Sequence, residues 1–227
     1  VSPYGDLGRG SWREVSSSSN CRLRRFNYND SFITVVHGFT DAPTASSQEA
    51  SSLVMSTESM QDLIRSIPDY PNPGVTFRDI TPLLGDGPAF SEAIAKIAER
   101  FVDSNIQRVI GVEARGFILG APIAVALNAG FVPVRKAGKL PWAVVREEYD
   151  LEYGSDKLEI HRDAIHPGER ILVVDDVLAT GGTAAATCRL VSALGGDIVA
   201  LAVLIELPFL EGRAKLDGIA VESLFSY

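Results

Sequence analysis

An apolar run, Ile171-Leu172-Val173-Val174, is followed by two acids, Asp175 and Asp176, and then by Val177-Leu178-Ala179-Thr180-Gly181-Gly182-Thr183. The run reads as a buried strand and the small residues after it as a turn that opens a helix. Unpaired backbone N–H groups at such a helix start, joined by the hydroxyls of Thr180 and Thr183, suit a phosphate dianion. Gly181 and Gly182 let the backbone approach the oxygens with no Cβ in the way. Asp175 and Asp176 stand where they can accept hydrogen bonds from two adjacent sugar hydroxyls or orient a metal-bound substrate. A Walker-type loop is excluded, because no Gly-Lys-Ser/Thr follows the glycines. Thr-Gly-Gly-Thr alone would fit any capped strand-turn-helix; the paired acids and flanking threonines in register favour a sugar-phosphate clamp.

Four other segments hold residues able to act on an anion or a ring. Pro71-Asn72-Pro73-Gly74-Val75-Thr76-Phe77-Arg78-Asp79-Ile80 offers an apolar flank and backbone groups able to read the edge of a flat base, or else is a proline-rich connection kept for packing. Gly111-Val112-Glu113-Ala114-Arg115-Gly116-Phe117 is a second strand-loop-helix junction, in which Arg115 could fork onto a phosphate or pair with Glu113. Arg135, Lys136 and Lys139 form a basic cluster that is either a solvated face or a counter-charge for an anionic leaving group. Glu152, in Tyr149-Asp150-Leu151-Glu152-Tyr153-Gly154, is either a surface acid or a carboxyl able to manage a proton.

Val174-Asp175-Asp176 through Thr183 resembles the 5-phosphoribosyl-1-pyrophosphate signature of type I phosphoribosyltransferases, and its Ala-Thr-Gly-Gly-Thr form is similar to that of the adenine phosphoribosyltransferases among them. The four other segments match that family in order, so the resemblance covers residues 60–227. It implies an α/β fold, a mostly parallel central sheet with helices on both faces, plus a small hood and a mobile loop. The implied reaction joins adenine to phosphoribosyl pyrophosphate, giving AMP and pyrophosphate, a step of purine salvage. In that resemblance Asp175, Asp176, Ala179, Thr180, Gly181, Gly182 and Thr183 hold the phosphoribosyl group. Pyrophosphate falls to Glu113, Ala114 and Arg115, with a cis peptide between the first two, and to Arg135, Lys136 and Lys139. Adenine meets the backbone at Thr76 and the residues Phe77 and Arg78, while the loop bearing Glu152 folds over the reactants and that acid meets N7 of the base. Glu152, Arg115, Asp175 and Asp176 are then the catalytic set. Mg²⁺ is expected to arrive with the substrate rather than in a protein metal site, since His37, His161 and His166 are scattered. A homodimer is the implied assembly. Two rivals are a 6-oxopurine enzyme, disfavoured because Ala184–Ala186 rather than a basic residue follow the loop, and a non-catalytic sensor of the sugar pyrophosphate.

The elements that must place these residues are legible as periodicity. Met60, Leu63, Ile64 and Ile67 predict a short helix after Ser56 and Thr57, closed by Pro68. Phe90, Ile94, Ile97, Ala98 and Phe101 predict an amphipathic helix begun near Asp86 and Pro88. Strands are expected at Arg108–Val112, Phe131–Arg135, Leu158–His161, Ile171–Val174, Ile198–Glu206 and Glu222–Phe225, and further helices at Phe117–Asn128 and Thr183–Leu194. Residues 136–156 read as a long mobile excursion. Alternating strands and helices imply a parallel sheet, with ligands at the carboxyl ends of its strands.

Bulk properties limit the partners. The formal charge of −8 argues against nucleic-acid binding, 46% hydrophobic and 22% charged residues are near the globular average, and no apolar stretch reaches a membrane span. Cys21 and Cys188 lie in unlike settings, so a reducing cytoplasm is expected and a disulfide framework is not. Residues 1–55 are serine-rich, with arginines at 22, 24 and 25, and are expected to be a low-complexity, disordered extension to a domain over 56–227. Within the extension only Phe32–Val36 could pair as a strand. The composition also fits a transit peptide, though without an amphipathic arginine helix; the other reading is an upstream extension with the working start at Met55 or Met60.

Overall fold

The computed structural model describes residues 12–16, 22–28, 31–37, 56–150 and 155–227, and the chain divides into two compact units, Val1–Val54 and Met55–Tyr227. In the first unit β1 (Trp12–Ser16), β2 (Arg22–Tyr28) and β3 (Ser31–His37) form an antiparallel sheet in that order. The expected strand at Phe32–Val36 lies within β3. Most of residues 1–55, and with them most of the expectation of a disordered extension, lies outside the described residues.

The second unit begins with α1 (Thr57–Gln61), capped by Ser56, whose side chain accepts from Ser59 N at 3.2 Å. Here the sequence expectation is corrected: the helix ends at Gln61, and Arg65–Ile67 is instead strand β4, antiparallel to β5 (Phe77–Asp79). Met60 and Ile64 are both buried, as a helix would require, but the chain then extends to pair Ser66 with Arg78 and Ile67 with Phe77. A pairing partner ten residues away leaves no trace in a local helical pattern.

After β5 come a short helix α2 (Thr81–Gly85), which periodicity did not reveal, and α3 (Gly87–Glu99). Asp86 caps α3 by accepting from Ala89 N at 2.9 Å, and Ile94, Ile97 and Ala98 bury its inner face. Strand β6 (Arg108–Val112), helix α4 (Arg115–Ala126) and strand β7 (Gly130–Lys136) follow as anticipated, within two residues.

The stretch 136–156 is not the irregular excursion that its polarity suggests. β8 (Val144–Asp150) and β9 (Ser155–His161) form an antiparallel hairpin, with Val144 opposite His161 and Glu147 opposite Leu158. Only one face of the pair meets the core, through Tyr149, Leu158 and Ile160, while Arg146 and Glu148 face solvent. Charged residues on a strand at the sheet's edge hide its alternation and suit an edge, where they discourage pairing with other chains. Residues 151–154 lie outside the described residues.

The chain closes with β10 (Arg170–Leu178), α5 (Gly182–Ala193), β11 (Asp197–Glu206), a tight turn of 3₁₀ form at Gly212–Lys215, and β12 (Val221–Ser226). The main sheet runs β12-β11-β10-β6-β7-β9-β8, parallel from β12 to β7 and antiparallel at β9 and β8. Because successive strand residues face opposite ways, Leu172 and Val174 join a cluster with Ile97, Leu119 and Ile123 from α3 and α4. Ile171 and Val173 join another cluster with Leu190 and Val191 from α5. Helices therefore cover both faces.

Candidate active site

Two strand-to-helix junctions lie side by side at the carboxyl ends of β6 and β10, where open α/β sheets hold their ligands. They come very close. A Cβ on Gly116, at the start of α4, would stand 2.9 Å from Val174 O and 3.0 Å from Asp175 Oδ1, so only glycine fits without a shift. The peptide between Glu113 and Ala114 is cis, as the family resemblance implied. Arg115 opens α4, and its Nε lies 2.7 Å from Asp176 Oδ2. Its guanidinium also sits 5.3 Å from the ring centroid of Phe77, so strand β5 is drawn to the same place.

Asp176 is 6% exposed, and its Oδ2, although ion-paired, receives no aligned hydrogen bond. Its backbone N–H donates to Asp175 Oδ1 at 2.9 Å. Asp175 keeps some solvent contact, yet its carboxyl is pushed well above the usual carboxylate range, first by loss of hydration and then by the neighbouring charge of Asp176. Two like charges side by side at a strand end lower their energy by gaining a cation or donors.

The loop Ala179-Thr180-Gly181-Gly182-Thr183 runs from β10 into α5, with Gly181 at φ +77° as the residue before the helix and no side chain capping it. The amides of the first turn are thus left to an anion. Thr183 Oγ1 lies 3.4 Å from the hydroxyl of buried Tyr149 in β8, which ties the edge hairpin to the loop.

The basic cluster is already engaged. Glu113, 10% exposed at its side chain, receives Arg135 Nε at 3.3 Å, the backbone N–H of Lys136 at 3.0 Å and the ammonium of Lys139. Burial raises its pKa, but the bonds from Lys139, Lys136 and Arg135 outweigh burial and hold the carboxyl at about 2. Lys136 Nζ turns to Asp156 Oδ2 at 2.9 Å, and that bond raises the pKa of the lysine and lowers that of the aspartate. Glu113 is accordingly the carboxylate around which the cationic group is arranged.

At β5, Thr76 is exposed, Phe77 and Arg78 are half-buried, and Tyr70 packs edge-on against Phe77 at 5.4 Å. Arg78 bonds Ser66 and lies 4.0 Å over the ring of Tyr227. Ser66, Tyr149 and Tyr227 were not singled out from sequence, since each becomes relevant only through a partner far along the chain. Glu152 lies outside the described residues. Among the described residues no group of three or more His, Cys, Asp or Glu side chains could hold a metal ion, and no helix is long and apolar enough to cross a membrane.

Residues 83–219 match the phosphoribosyl transferase domain family. The adenine phosphoribosyltransferase of Desulfitobacterium hafniense is 57% identical over 164 residues, which span 72% of this chain and 95% of that protein. The crystal structure of adenine phosphoribosyltransferase from Thermoanaerobacter pseudethanolicus superposes with a TM-score of 0.74 at 48% identity, covering 76% of this chain and all of that one. The Saccharomyces cerevisiae adenine phosphoribosyltransferase, crystallised with D-2,5-dideoxy-2,5-imino-altritol 1,6-bisphosphate and adenine, superposes at 0.71 with 38% identity over 77% of this chain and 99% of that one. With a family match over more than half of its length and relatives matched nearly end to end, this chain belongs to the adenine phosphoribosyltransferase family.

Proposed function

We propose that this chain transfers the phosphoribosyl group of 5-phosphoribosyl-1-pyrophosphate to adenine: the bond from C1′ to pyrophosphate oxygen breaks, a bond from C1′ to N9 forms, and AMP and pyrophosphate leave. The observation that carries the reading is the meeting of Arg115, Asp176 and Phe77, which brings an anion-binding cation, a ribose-binding acid and a ring-stacking residue to one point. The loop 179–183 grips the 5′-phosphate through uncapped helix amides, and Asp175 and Asp176 accept from the ribose hydroxyls. Arg115, Arg135, Lys136 and Lys139 offset the charge that grows on departing pyrophosphate. Phe77, Arg78 and the backbone at Thr76 place the base, and Glu152 takes the proton released as N9 attacks. Alignment of the two reactants can supply roughly 7–11 kcal/mol of the barrier.

A Mg²⁺ ion entering with the sugar pyrophosphate fits the residues present. Asp175 and Asp176 stand together as like charges, and Asp176 Oδ2 has lone pairs without an aligned donor. A hard cation that keeps most of its waters needs few protein oxygens, and when bound it would neutralise phosphate charge. The proposed assembly is a homodimer, supported by Ile118 and Val125, which lie 44% and 81% exposed along one face of α4. The proposed compartment is the cytoplasm, in keeping with the unpaired, buried Cys188.

Pyrophosphate release measured with adenine, hypoxanthine, guanine and xanthine in turn tests the reaction. Turnover with adenine alone is expected. Preference for a 6-oxopurine, or binding of the sugar pyrophosphate with no turnover on any base, would overturn it.

A further inference from the structure

The loop 179–183 has no side-chain cap of its own, yet its backbone takes one defined path. What fixes that path lies in the turn Gly212–Lys215. A Cβ placed on Gly181 would stand 2.3 Å from Gly212 O, and one placed on Gly212 would stand 2.2 Å from Ala179 O and 3.1 Å from Gly181 N. Two backbones thus press on each other through a pair of glycines, with no strand ladder between them. One side of the contact is the loop that precedes α5; the other is a turn with unusually firm moorings.

Arg213 forks onto Glu206, with Nη2 at 2.7 Å from Oε2 and Nε on Oε1, and its Nη1 donates to Val221 O at 3.1 Å. Ser223 Oγ donates to Glu206 Oε2 at 3.0 Å. Glu206 is 6% exposed and ends β11 directly beside Leu178, the last residue of β10, while Leu207 N donates to Leu178 O at 3.0 Å. The bond from Arg213 outweighs burial and lowers the pKa of the carboxyl from its ordinary value. A buried acid of this kind adds little net stability over an apolar residue, whereas a bidentate fork fixes a geometry. The geometry fixed is that of Gly212, and through Gly212 that of the loop.

We propose that Gly212 and Arg213 are positioning residues for the sugar phosphate: the Glu206–Arg213 pair holds the turn, the turn seats the loop at Ala179 and Gly181, and the seated loop aims its amides at the phosphate. The proposal rests on the reading of residues 179–183 as the phosphate cradle. It is confined to the phosphate end of the substrate, because Phe77, Arg78 and the basic cluster lie on other elements.

The test uses Gly212→Ala and Arg213→Lys in the full chain, the second keeping the charge beside Glu206 while losing the fork. Ribose 5-phosphate binding is measured by calorimetry, KM is measured for each substrate, and Tm is recorded. Ile97→Val, on the buried face of α3, serves as a comparison that lowers stability away from the turn. Each turn variant is expected to weaken ribose 5-phosphate at least tenfold and to raise KM for the sugar pyrophosphate in step. KM for adenine should stay within twofold, and Ile97→Val should bind as the parent does. Unchanged ribose 5-phosphate affinity in both turn variants would overturn the proposal, as would a parallel rise in KM for adenine or an equal loss in Ile97→Val. A parent chain with no affinity for ribose 5-phosphate would instead overturn the cradle itself, and this inference with it.

Discussion

Arg115 Nε and Asp176 Oδ2 stand 2.7 Å apart although one opens α4 and the other lies within β10. The pair locks two junctions to each other before any substrate enters. Asp176→Ala removes the buried partner of Arg115 together with the acid proposed to accept from the ribose. Its kcat/KM is expected to fall by roughly 10²–10³, the scale of losing one placed polar group in a reaction site, and steady-state turnover checks it. A fall of less than about fivefold would deny Asp176 its role.

Gly116→Ala tests the closeness of the junctions. The added Cβ meets Val174 O and the Asp175 carboxylate, both held by the sheet, so α4 must shift. Overpacking of this kind costs about 1–3 kcal/mol. Denaturant midpoints should fall accordingly, with a weaker hold on the sugar pyrophosphate.

The two acids at the centre should report opposite pH dependences. Glu113 is held at about 2 against 4.5 in a free chain, so its stabilising contribution is present above pH 4.5 and is lost as pH falls toward 2. Tm of the parent chain should drop more steeply through that window than Tm of Glu113→Gln. Asp175 has its folded value raised above 3.8, so its contribution is present below that pH and is lost as pH climbs through the folded value. Asp175→Asn should therefore gain in Tm over the parent as pH rises from 4 to 8, while losing turnover. Parallel Tm curves for parent and variant would remove either assignment.

Tyr227 supports Arg78 through a ring face 4.0 Å from the guanidinium carbon. A partly exposed contact of this sort contributes about 0.5–1 kcal/mol. Tyr227→Leu is expected to raise KM for adenine two- to fivefold and to leave ribose 5-phosphate affinity unchanged. An unchanged KM for adenine would show that Arg78 needs no such support.

How far the sequence disclosed this arrangement depended on range. The apolar run at 171–174 and the helical spacing of Phe90 to Phe101 are local, and β10 and α3 stand where those patterns put them. The glycines at 181 and 182 and the threonines at 180 and 183 were legible because a strand-turn-helix junction is also local, whereas the close approach at Gly116 depends on a strand far along the chain. A strand was expected at Leu158–His161 and lies within β9, but β8 and its pairing were missed because half of the hairpin's side chains are charged and only the opposite strand explains the burial of Tyr149. Ile67 was misassigned because its partner, Phe77, lies beyond three prolines and a turn. The engagement of Lys139 with Glu113 could not be read either, since sequence gives the sign of a charge and not its neighbour.

Leu172 and Val173 are adjacent in the chain yet belong to separate hydrophobic clusters, one beneath α3 and α4 and the other beneath α5. The sheet acts as a bulkhead: a cavity opened on one side cannot be refilled by side chains from the other. Volume changes such as Val174→Ala and Val173→Ala should then be additive in free energy, as expected for positions that share no partners. A lineage could retune the layer under α5 while the layer beneath α3 and α4 stayed as it was.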